Sequence, residues 1–241
     1  MGGPLSTMIS TDAGESLVSR TMQAINQHIH GAGLHPGQPI PSESAFALEM
    51  GVSRAVVREA FRSLAAVGVI EIGNGRRARV GGIDDTVLPI ILNHAVLTDQ
   101  VSVQQIFDVR RAIEQRTVTL AALRRTAAEA EELVALTAAM ERDFHTPERV
   151  KESDILFHEA IARASRNPLF AVLVRAFRVI TEKTWQIGWA SRPTDEARRA
   201  NVLCHQRIAD AILRQNAKEA EALMAEHFDN SVKALLAAGI T

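Results

Sequence analysis

Residues 42–80 leave this chain few ways to fold. Ser42 and Ser53 each stand where a side-chain oxygen can cap a following helix, and Gly51-Val52 between them allows only a tight turn. The first of these helices extends to Met50 with Phe46, Ala47 and Met50 facing inward. The second extends to Ala66 and carries two stripes. Val57, Ala60, Phe61 and Leu64 make an apolar one, and Arg54, Arg58 and Arg62, four apart, make a cationic one. Gly68 closes that helix. Residues 69–72 then read as a strand, Gly73-Asn74-Gly75 as a tight turn and 77–80 as the return strand.

Upstream, Val18, Met22, Ile25 and Ile29 mark the buried stripe of a helix over 15–31, stopped at Gly31. The prolines of Leu34-His35-Pro36-Gly37-Gln38-Pro39-Ile40-Pro41 forbid regular helix in the connection. Three helices followed by a β-hairpin, over 15–80, form a winged helix-turn-helix. The net charge of the chain is −1, so it is no general nucleic-acid coat and any such contact must be local. Between Arg54 and Arg79 six arginines (54, 58, 62, 76, 77 and 79) face two acids, Glu59 and Glu71, a balance of +4. Arg54 and Arg58 lie near the N-terminal end of the second helix of the pair, the end that enters a major groove, where arginine reads guanine or holds phosphate. Arg76, Arg77 and Arg79 on the wing suit phosphates or the minor groove. Alone, arginines four apart would be a solvated face; the helix–turn–helix–hairpin order favours an interface.

Residues 1–14 are expected to be disordered. Met1–Ser10 has no charged segment leading into an apolar run, so no signal peptide is expected, and no apolar stretch approaches the ~20 residues of a membrane span. Cys204 is the only cysteine, which rules out an intramolecular disulfide and suits a reducing compartment. Residues 81–85, beginning with Gly81-Gly82, read as a linker. Beyond them, alanine, leucine, glutamate and arginine dominate, and the pattern predicts an all-α bundle over 86–241. The expected helices are 86–95, 102–125, 127–143, 148–165, 168–189, 194–215 and 217–238, so the fold class is mainly α, with a bundle of six or seven helices. Ser102 with Gln105 and Thr126 with Glu129 have capping-box spacing, and Asn216 with Glu219 is a compatible pair; Pro147, Pro168 and Pro193 stand near helix starts.

Two constellations in the bundle carry chemistry. Asp154 and His158 are four apart and project from one side of one helix. His205 lies among Val202, Ile208, Ala209 and Ile212, and His227 among Leu223, Met224 and Ser231. One inward histidine is ordinarily a hydrogen-bonded core residue. Three from three helices, with a carboxylate one turn from the first, also make a donor set for zinc, nickel or a similar divalent ion. Both readings stay open on spacing alone. His28, His30, His35, His94 and His145 read as surface or loop residues. The second constellation centres on Arg110, which falls on a seam of Ile106, Val109, Ile113, Thr117 and Leu120. A buried arginine needs a partner. It is either a clamp for the carboxylate of a small effector or half of an internal salt bridge, for example with Asp154 or Glu114. Trp185 and Trp189 fit a pocket wall, a core or an interface.

The run Pro36-Gly37…Ile40-Pro41-Ser42-Glu43…Gly51-Val52-Ser53-Arg54…Val57-Arg58-Glu59-Ala60…Leu64…Gly68 resembles the winged-helix signature of the GntR superfamily, and Asp154-x-x-x-His158 with His205 and His227 resembles its FadR branch with the helical FCD effector domain. The resemblance spans about Leu17 to Leu236. It implies a cytoplasmic transcription regulator, usually a repressor, that forms a homodimer or a dimer of dimers and binds palindromic double-stranded operator DNA. It implies DNA contacts from Arg54 and Arg58, supported by Ser42, Glu43, Ser53, Arg62, Arg76, Arg77 and Arg79. It also implies a divalent metal, zinc by preference, on Asp154, His158, His205 and His227, and a small carboxylate metabolite facing Arg110 and Asn201. The chain departs from the family pattern at Ser44, where members commonly carry arginine, and at Arg77-Ala78-Arg79, where the wing commonly carries Gly-Thr. Two other expectations fit the same residues: a metal-dependent hydrolase or lyase on a helical bundle, which would need a general base that the sequence does not offer, and a helical module that only dimerises.

Overall fold

The computed structural model describes residues 15–73 and 76–240, and the chain divides into two compact units between Val87 and Leu88. The expected disorder of 1–14 and the middle of the Gly73-Asn74-Gly75 turn lie outside the described residues.

The first unit opens with α1 (Leu17–Gly31), capped by the Ser16 hydroxyl, which accepts from Ser19 N at 3.1 Å. Ile25 of its stripe is fully buried, and Val18, Met22 and Ile29 pack at the rim of the same core. Ser42 caps α2 (Glu43–Met50), and Ser53 caps α3 (Arg54–Ala66). Gly51 links the two at φ 68°, a left-handed conformation that a side chain would strain. Phe46, Val57, Ala60, Phe61 and Leu64 close the core between α1, α2 and α3. β1 (Ile70–Glu71) and β2 (Arg79–Val80) pair antiparallel with Ile70 opposite Val80 and Glu71 opposite Arg79, so the apolar pair faces inward and the charged pair outward.

The strands are shorter than the expected 69–72 and 77–80 because the return strand is shared. Ile40 N donates to Ala78 O at 2.9 Å, Val80 N to Gln38 O at 2.9 Å and Gly37 N to Val80 O at 2.8 Å. The proline segment thus lies along the wing. Pro36, Pro39 and Pro41 have no N–H to give, but Gly37 and Ile40 between them do, which allows proline on a sheet edge. Gly81 is no slack linker residue either: its N–H donates to Val69 O at 2.9 Å, and a Cβ there would meet Gly68 O at 2.0 Å.

The second unit is a bundle of α4 (Val87–Leu97), α5 (Val103–Arg124), α6 (Ala127–Arg142), α7 (Pro147–Ala164), α8 (Pro168–Ala176), α9 (Arg178–Ala190), α10 (Asp195–Leu213) and α11 (Ala217–Ala237). Both expected capping boxes form, Ser102 with Gln105 and Thr126 with Glu129. Asn216 meets Glu219 through their side chains as well as capping its amide. Pro147 and Pro168 occupy first-turn positions, whereas Pro193 stands just before the cap Thr194. α5 packs on α11, α7 and α10, and α6 on α7 and α10, around a core that includes Val118, Phe157, Ile161, Ile208, Ile212 and Phe228.

Two expectations need correcting here. The single helix over 168–189 is two helices, broken at Phe177. Phe177 N bonds back only three residues, to Val174 O at 3.2 Å, and the hydroxyls of Thr181 and Thr184 take up the carbonyls of Phe177 and Ile180 at 3.1 and 2.9 Å. Ile180 N likewise bonds back three residues, to Phe177 O at 3.0 Å, so a tightened turn separates the two helices without any proline. On α5, Val109 is not part of the seam but 51% exposed; Arg110, Glu114 and Thr117 take the inner positions with Ile106, Phe107 and Leu120. A mutually paired arginine and glutamate can fill interior positions that an apolar-only reading assigns to valine.

Gly81→Ala should therefore destabilise the first unit by about 1–3 kcal/mol, since backbone must move to admit the methyl. Gly82→Ala, whose Cβ meets nothing within 4 Å, should stay within about 0.5 kcal/mol. Hydrogen exchange of the amides of 54–80 measures both.

Candidate functional site

The functional side chains of the second unit come from five helices. α5 supplies Arg110 and Glu114, α7 Asp154 and His158, α9 Thr181, Thr184 and Trp185, α10 Asn201 and His205, and α11 His227 and Ser231. All of the expected ligand residues are buried: Asp154 at 6% exposure, His158 at 4%, His205 at 0% and His227 at 6%. The three imidazoles offer one nitrogen each within 4.8 Å of one another. Asp154 Oδ1 lies 3.3 Å from both His158 Nε2 and His205 Nε2, and its Oδ2 accepts from Trp185 Nε1 at 2.7 Å.

Hydrogen bonds behind the cluster decide which nitrogen faces it. His158 Nδ1 donates to Glu114 Oε2 at 2.5 Å, and His205 Nδ1 donates to the carbonyl of Asn201 at 2.8 Å. Each ring therefore turns Nε2 toward Asp154. Two nitrogens are left without a hydrogen bond although buried: His205 Nε2, which is close to Asp154 but poorly aligned with it, and His227 Nδ1. A buried polar atom left so costs about 1–3 kcal/mol. Three imidazoles with nitrogens this close together, and a carboxylate beside two of them, fit a divalent ion.

The electrostatics follow the burial. Burial alone would raise the carboxyl of Asp154, but His205 and His158 outweigh it and hold the group well below its usual range. The same contest at Glu114 ends below the usual range because of Arg110 and His158. Burial pulls His158 down, yet Glu114 and Asp154 raise it to about 9. Burial drives His227 well below 6.5, and His205 and His158 add to that.

Arg110 is 5% exposed and its partners are internal. Nε donates to Glu114 Oε1 at 2.9 Å and Nη1 to Thr181 Oγ1 at 2.7 Å, and the guanidinium stands 5.3 Å from the ring centroids of Phe107 and Phe228. Of the two roles open to it, the ion pair with Glu114 is formed. Arg110 also lines, with Asp154, His158, Asn201 and His227, a cleft of about 510 Å³ of empty space partly open to solvent. Trp185 and Trp189 stack along this cleft with centroids 5.0 Å apart. Arg192, which spacing did not single out, is in the lining too. It follows the end of α9, beyond the reach of helical periodicity. Glu114 carried a legible signal, being four residues after Arg110 on one helix.

In the first unit Arg54, Arg58, Arg62, Arg76, Arg77 and Arg79 are all exposed. Arg58 pairs with Glu43 at 3.3 Å and Arg62 with Glu59 at 3.9 Å, exposed contacts that are weak and readily exchanged for a phosphate. Arg79 Nη1 donates to Gly37 O at 2.5 Å. The hydroxyls of Ser42 and Ser53 are engaged as caps, accepting from Ala45 N and Val56 N. His28, His30, His35, His94 and His145 lie outside the cluster, His28 half-buried against Phe46 and the others exposed.

No helix among the described residues is long and apolar enough to cross a membrane. Glu114→Ala should lower the unfolding free energy of the second unit by about 3–5 kcal/mol, since it strands Arg110 without its carboxylate. Arg110→Met with Glu114→Leu should cost less than the single change. Tryptophan fluorescence during urea unfolding reports this unit alone, because both tryptophans, Trp185 and Trp189, belong to it.

Comparison with known proteins agrees with this layout. Residues 17–80 match the model for bacterial regulatory proteins of the gntR family, and residues 105–230 match the FCD domain. The HTH-type transcriptional regulator LutR of Bacillus subtilis is 30% identical over 206 residues, covering 84% of this chain and 93% of its own. The galactonate operon transcriptional repressor of Escherichia coli is 29% identical over 205 residues, 81% of this chain and 86% of its own. Among solved structures, Streptococcus agalactiae GntR superposes with a TM-score of 0.61 at 25% identity, over 89% of this chain and 98% of its own. These relatives are regulators, not hydrolases or lyases. The chain thus belongs to the GntR family of bacterial regulatory proteins, in the form that carries an FCD domain, and is a metabolite-responsive DNA-binding transcription regulator.

Proposed function

We propose that this regulator is a repressor released from its operator by a small carboxylate bound at a metal site in the FCD domain. Residues 15–80 form the DNA-binding head, 81–85 the linker and 86–241 the effector and dimerisation domain, working in the cytoplasm. Asp154, His158, His205 and His227 hold the divalent ion, zinc by donor type, with nickel or another divalent ion compatible with the same set. The ion, when bound, supplies a Lewis-acidic centre that a carboxylate can reach. The observation that carries this reading is the buried cluster of His158, His205 and His227, which bring one nitrogen each within 4.8 Å of one another, with the Asp154 carboxylate 3.3 Å from two of them. Glu114 and the Asn201 carbonyl keep His158 and His205 in the ligating tautomer, and Arg110 and the Asn201 side chain face the effector. Carboxylates are favoured by the cations of the cleft and by the galactonate in one relative's name. Repression is favoured by that same name.

Two copies of the head bind a palindrome, Arg54 and Arg58 at base edges and phosphates, with Ser42, Glu43, Ser53, Arg62, Arg76, Arg77 and Arg79 positioning them. Effector binding then has to shift the equilibrium between two arrangements of the dimer. A coupling of about 1–3 kcal/mol changes operator occupancy several-fold.

Plasma mass spectrometry of purified protein should find about one metal per chain, lost in His158→Ala/His205→Ala. No metal in the wild type, even after incubation with zinc or nickel, would reduce the histidines to core residues. Because His158 titrates near 9 without metal, the ion must displace its proton at neutral pH. Apparent zinc affinity should climb about tenfold per pH unit from 7 to 9 and then flatten. The metal-free protein should move the other way: the stability from protonated His158 is complete below 6.5 and lost as pH rises through about 9. Chelator competition and thermal unfolding read the two trends.

Arg58→Ala should weaken operator binding by about tenfold or more while leaving the helical circular dichroism unchanged. Undiminished affinity in a gel-shift titration would count against α3 as the reading helix.

A further inference from the structure

The two arginines of the cleft are unequally matched. Arg110 has a buried carboxylate partner in Glu114. Arg192 has none: its Nη1 donates to the carbonyl of Gly188 and its Nη2 to Asn201 Oδ1 at 3.2 Å, both neutral acceptors. Among the described residues no carboxylate lies within ion-pair distance of it. Asp154 is the acid that acts on it through space, but its Oδ2 is taken by Trp185 and its Oδ1 lies 3.3 Å from two histidines. A guanidinium carries about five N–H groups and cannot give up its charge, so Arg192 keeps roughly three donors after these two bonds. It is partly buried and lines the same cleft as His158, His227 and the stacked tryptophans.

Charge counting gives the consequence. Arg110 and Arg192 line the cleft with Asp154, and Glu114 is the partner of Arg110, so with the histidines neutral, as metal ligands are, these charges cancel. A divalent ion on the histidine cluster leaves two positive charges to be met in a confined space. One carboxylate at the cluster answers one of them and leaves Arg192 unpaired; two answer both. Charges held away from water need partners, and a guanidinium takes a carboxylate through two parallel hydrogen bonds.

We propose that Arg192 is the recognition site for a second acidic group of the effector, and that the effector is therefore a small dicarboxylate, one end toward the histidine cluster and the other on Arg192. The Gly188 carbonyl and the Asn201 side chain hold the guanidinium in place. Arg110 is then a positioning residue: it keeps Glu114, and through it His158, in register. The inference rests on the metal-site reading given above, since the first carboxylate goes to that cluster.

Calorimetric titration of zinc-loaded, full-length protein tests it with matched probes: succinate, glutarate and adipate, each beside its own monoamide, which keeps the shape and removes one charge. The expected result is that a diacid binds the wild type at least tenfold more tightly than its monoamide. Arg192→Gln should reduce that preference to less than threefold, and zinc uptake and a urea-unfolding midpoint like those of the wild type show that the variant is folded. Arg192→Lys should keep part of the preference. Equal affinities for diacid and monoamide in the wild type, or a preference that survives in Arg192→Gln, would overturn the inference. Equal affinities that vanish in His158→Ala/His205→Ala would do so while leaving the metal-site reading intact. No binding of any acid by protein that has taken up zinc would overturn both.

Discussion

The carboxylate of Glu114 is the joint on which the second unit turns. It is 1% exposed and has a different partner on each oxygen, Arg110 on Oε1 and His158 on Oε2. Removed from water alone, such a group costs several kcal/mol, so its burial is tolerable only because both partners are in place. What the arrangement provides is orientation. With its Nδ1 proton committed to Glu114, His158 turns its other nitrogen to Asp154. The Asn201 carbonyl does the same for His205, and the Trp185 indole fixes the carboxylate they share. Arg110 is steadied in turn by Thr181 and by the rings of Phe107 and Phe228. α5, α7 and α9 are thus joined by polar contacts beside the histidine cluster, to which α10 and α11 bring His205 and His227, and the apolar core around Phe157 and Ile208 holds the helices at that spacing.

What the sequence makes legible and what it hides divide along physical lines. Ser42, Gly51 and Ser53 are readable because a capped helix, a left-handed residue and a second capped helix follow from local chemistry at fixed offsets. Asp154 and His158 are readable because a four-residue spacing fixes one face. The position of Val109 is not, because its exposure depends on Arg110 and Glu114 neutralising each other inside, a tertiary fact that hydrophobic periodicity treats as an error. The break at Phe177 is hidden in the same way: a single tightened turn, with neither proline nor glycine in it, leaves no mark on the apolar spacing. The pairing of 37–40 with the wing escapes notice because three prolines read as loop. Arg192 escapes because it follows a helix end, where no period places a side chain.

The first unit has its own core and answers to different constraints. Its apolar residues are consumed by packing three short helices and a two-stranded wing, and of the arginines described only Arg79 also ties backbone together, at Gly37 O. Their ion pairs, Arg58 with Glu43 and Arg62 with Glu59, are exposed and worth little. Cations that contribute almost nothing to stability and stand together on one helix and its wing are free to be spent on a polyanion. That separation lets the head read DNA without a chemical compromise in its core.

α9 connects the cleft to the least tightly held part of the second unit. Its length lines the cleft with Thr181, Thr184, Trp185 and Gly188. Ile180, with Phe177 just before the helix, belongs to a small separate core with Ile106, against which Leu92 and Val96 of α4 are packed. Lys183 of α9 also reaches Asn93 of α4. α4 itself has no buried residue, and Ile90, Ile91 and Leu97 are 65%, 55% and 67% exposed. Close-packed interiors do not absorb displacement, whereas elements with few buried contacts open and shift at small cost. A ligand that moves α9 works against the dense core on one side and against α4 on the other, and the resistance is smaller toward α4. Of the elements packed on α9, α4 is therefore the one that yields at least cost. The free energy needed is that of repacking a few half-buried side chains, comparable to the ~1–3 kcal/mol by which effectors typically bias such equilibria.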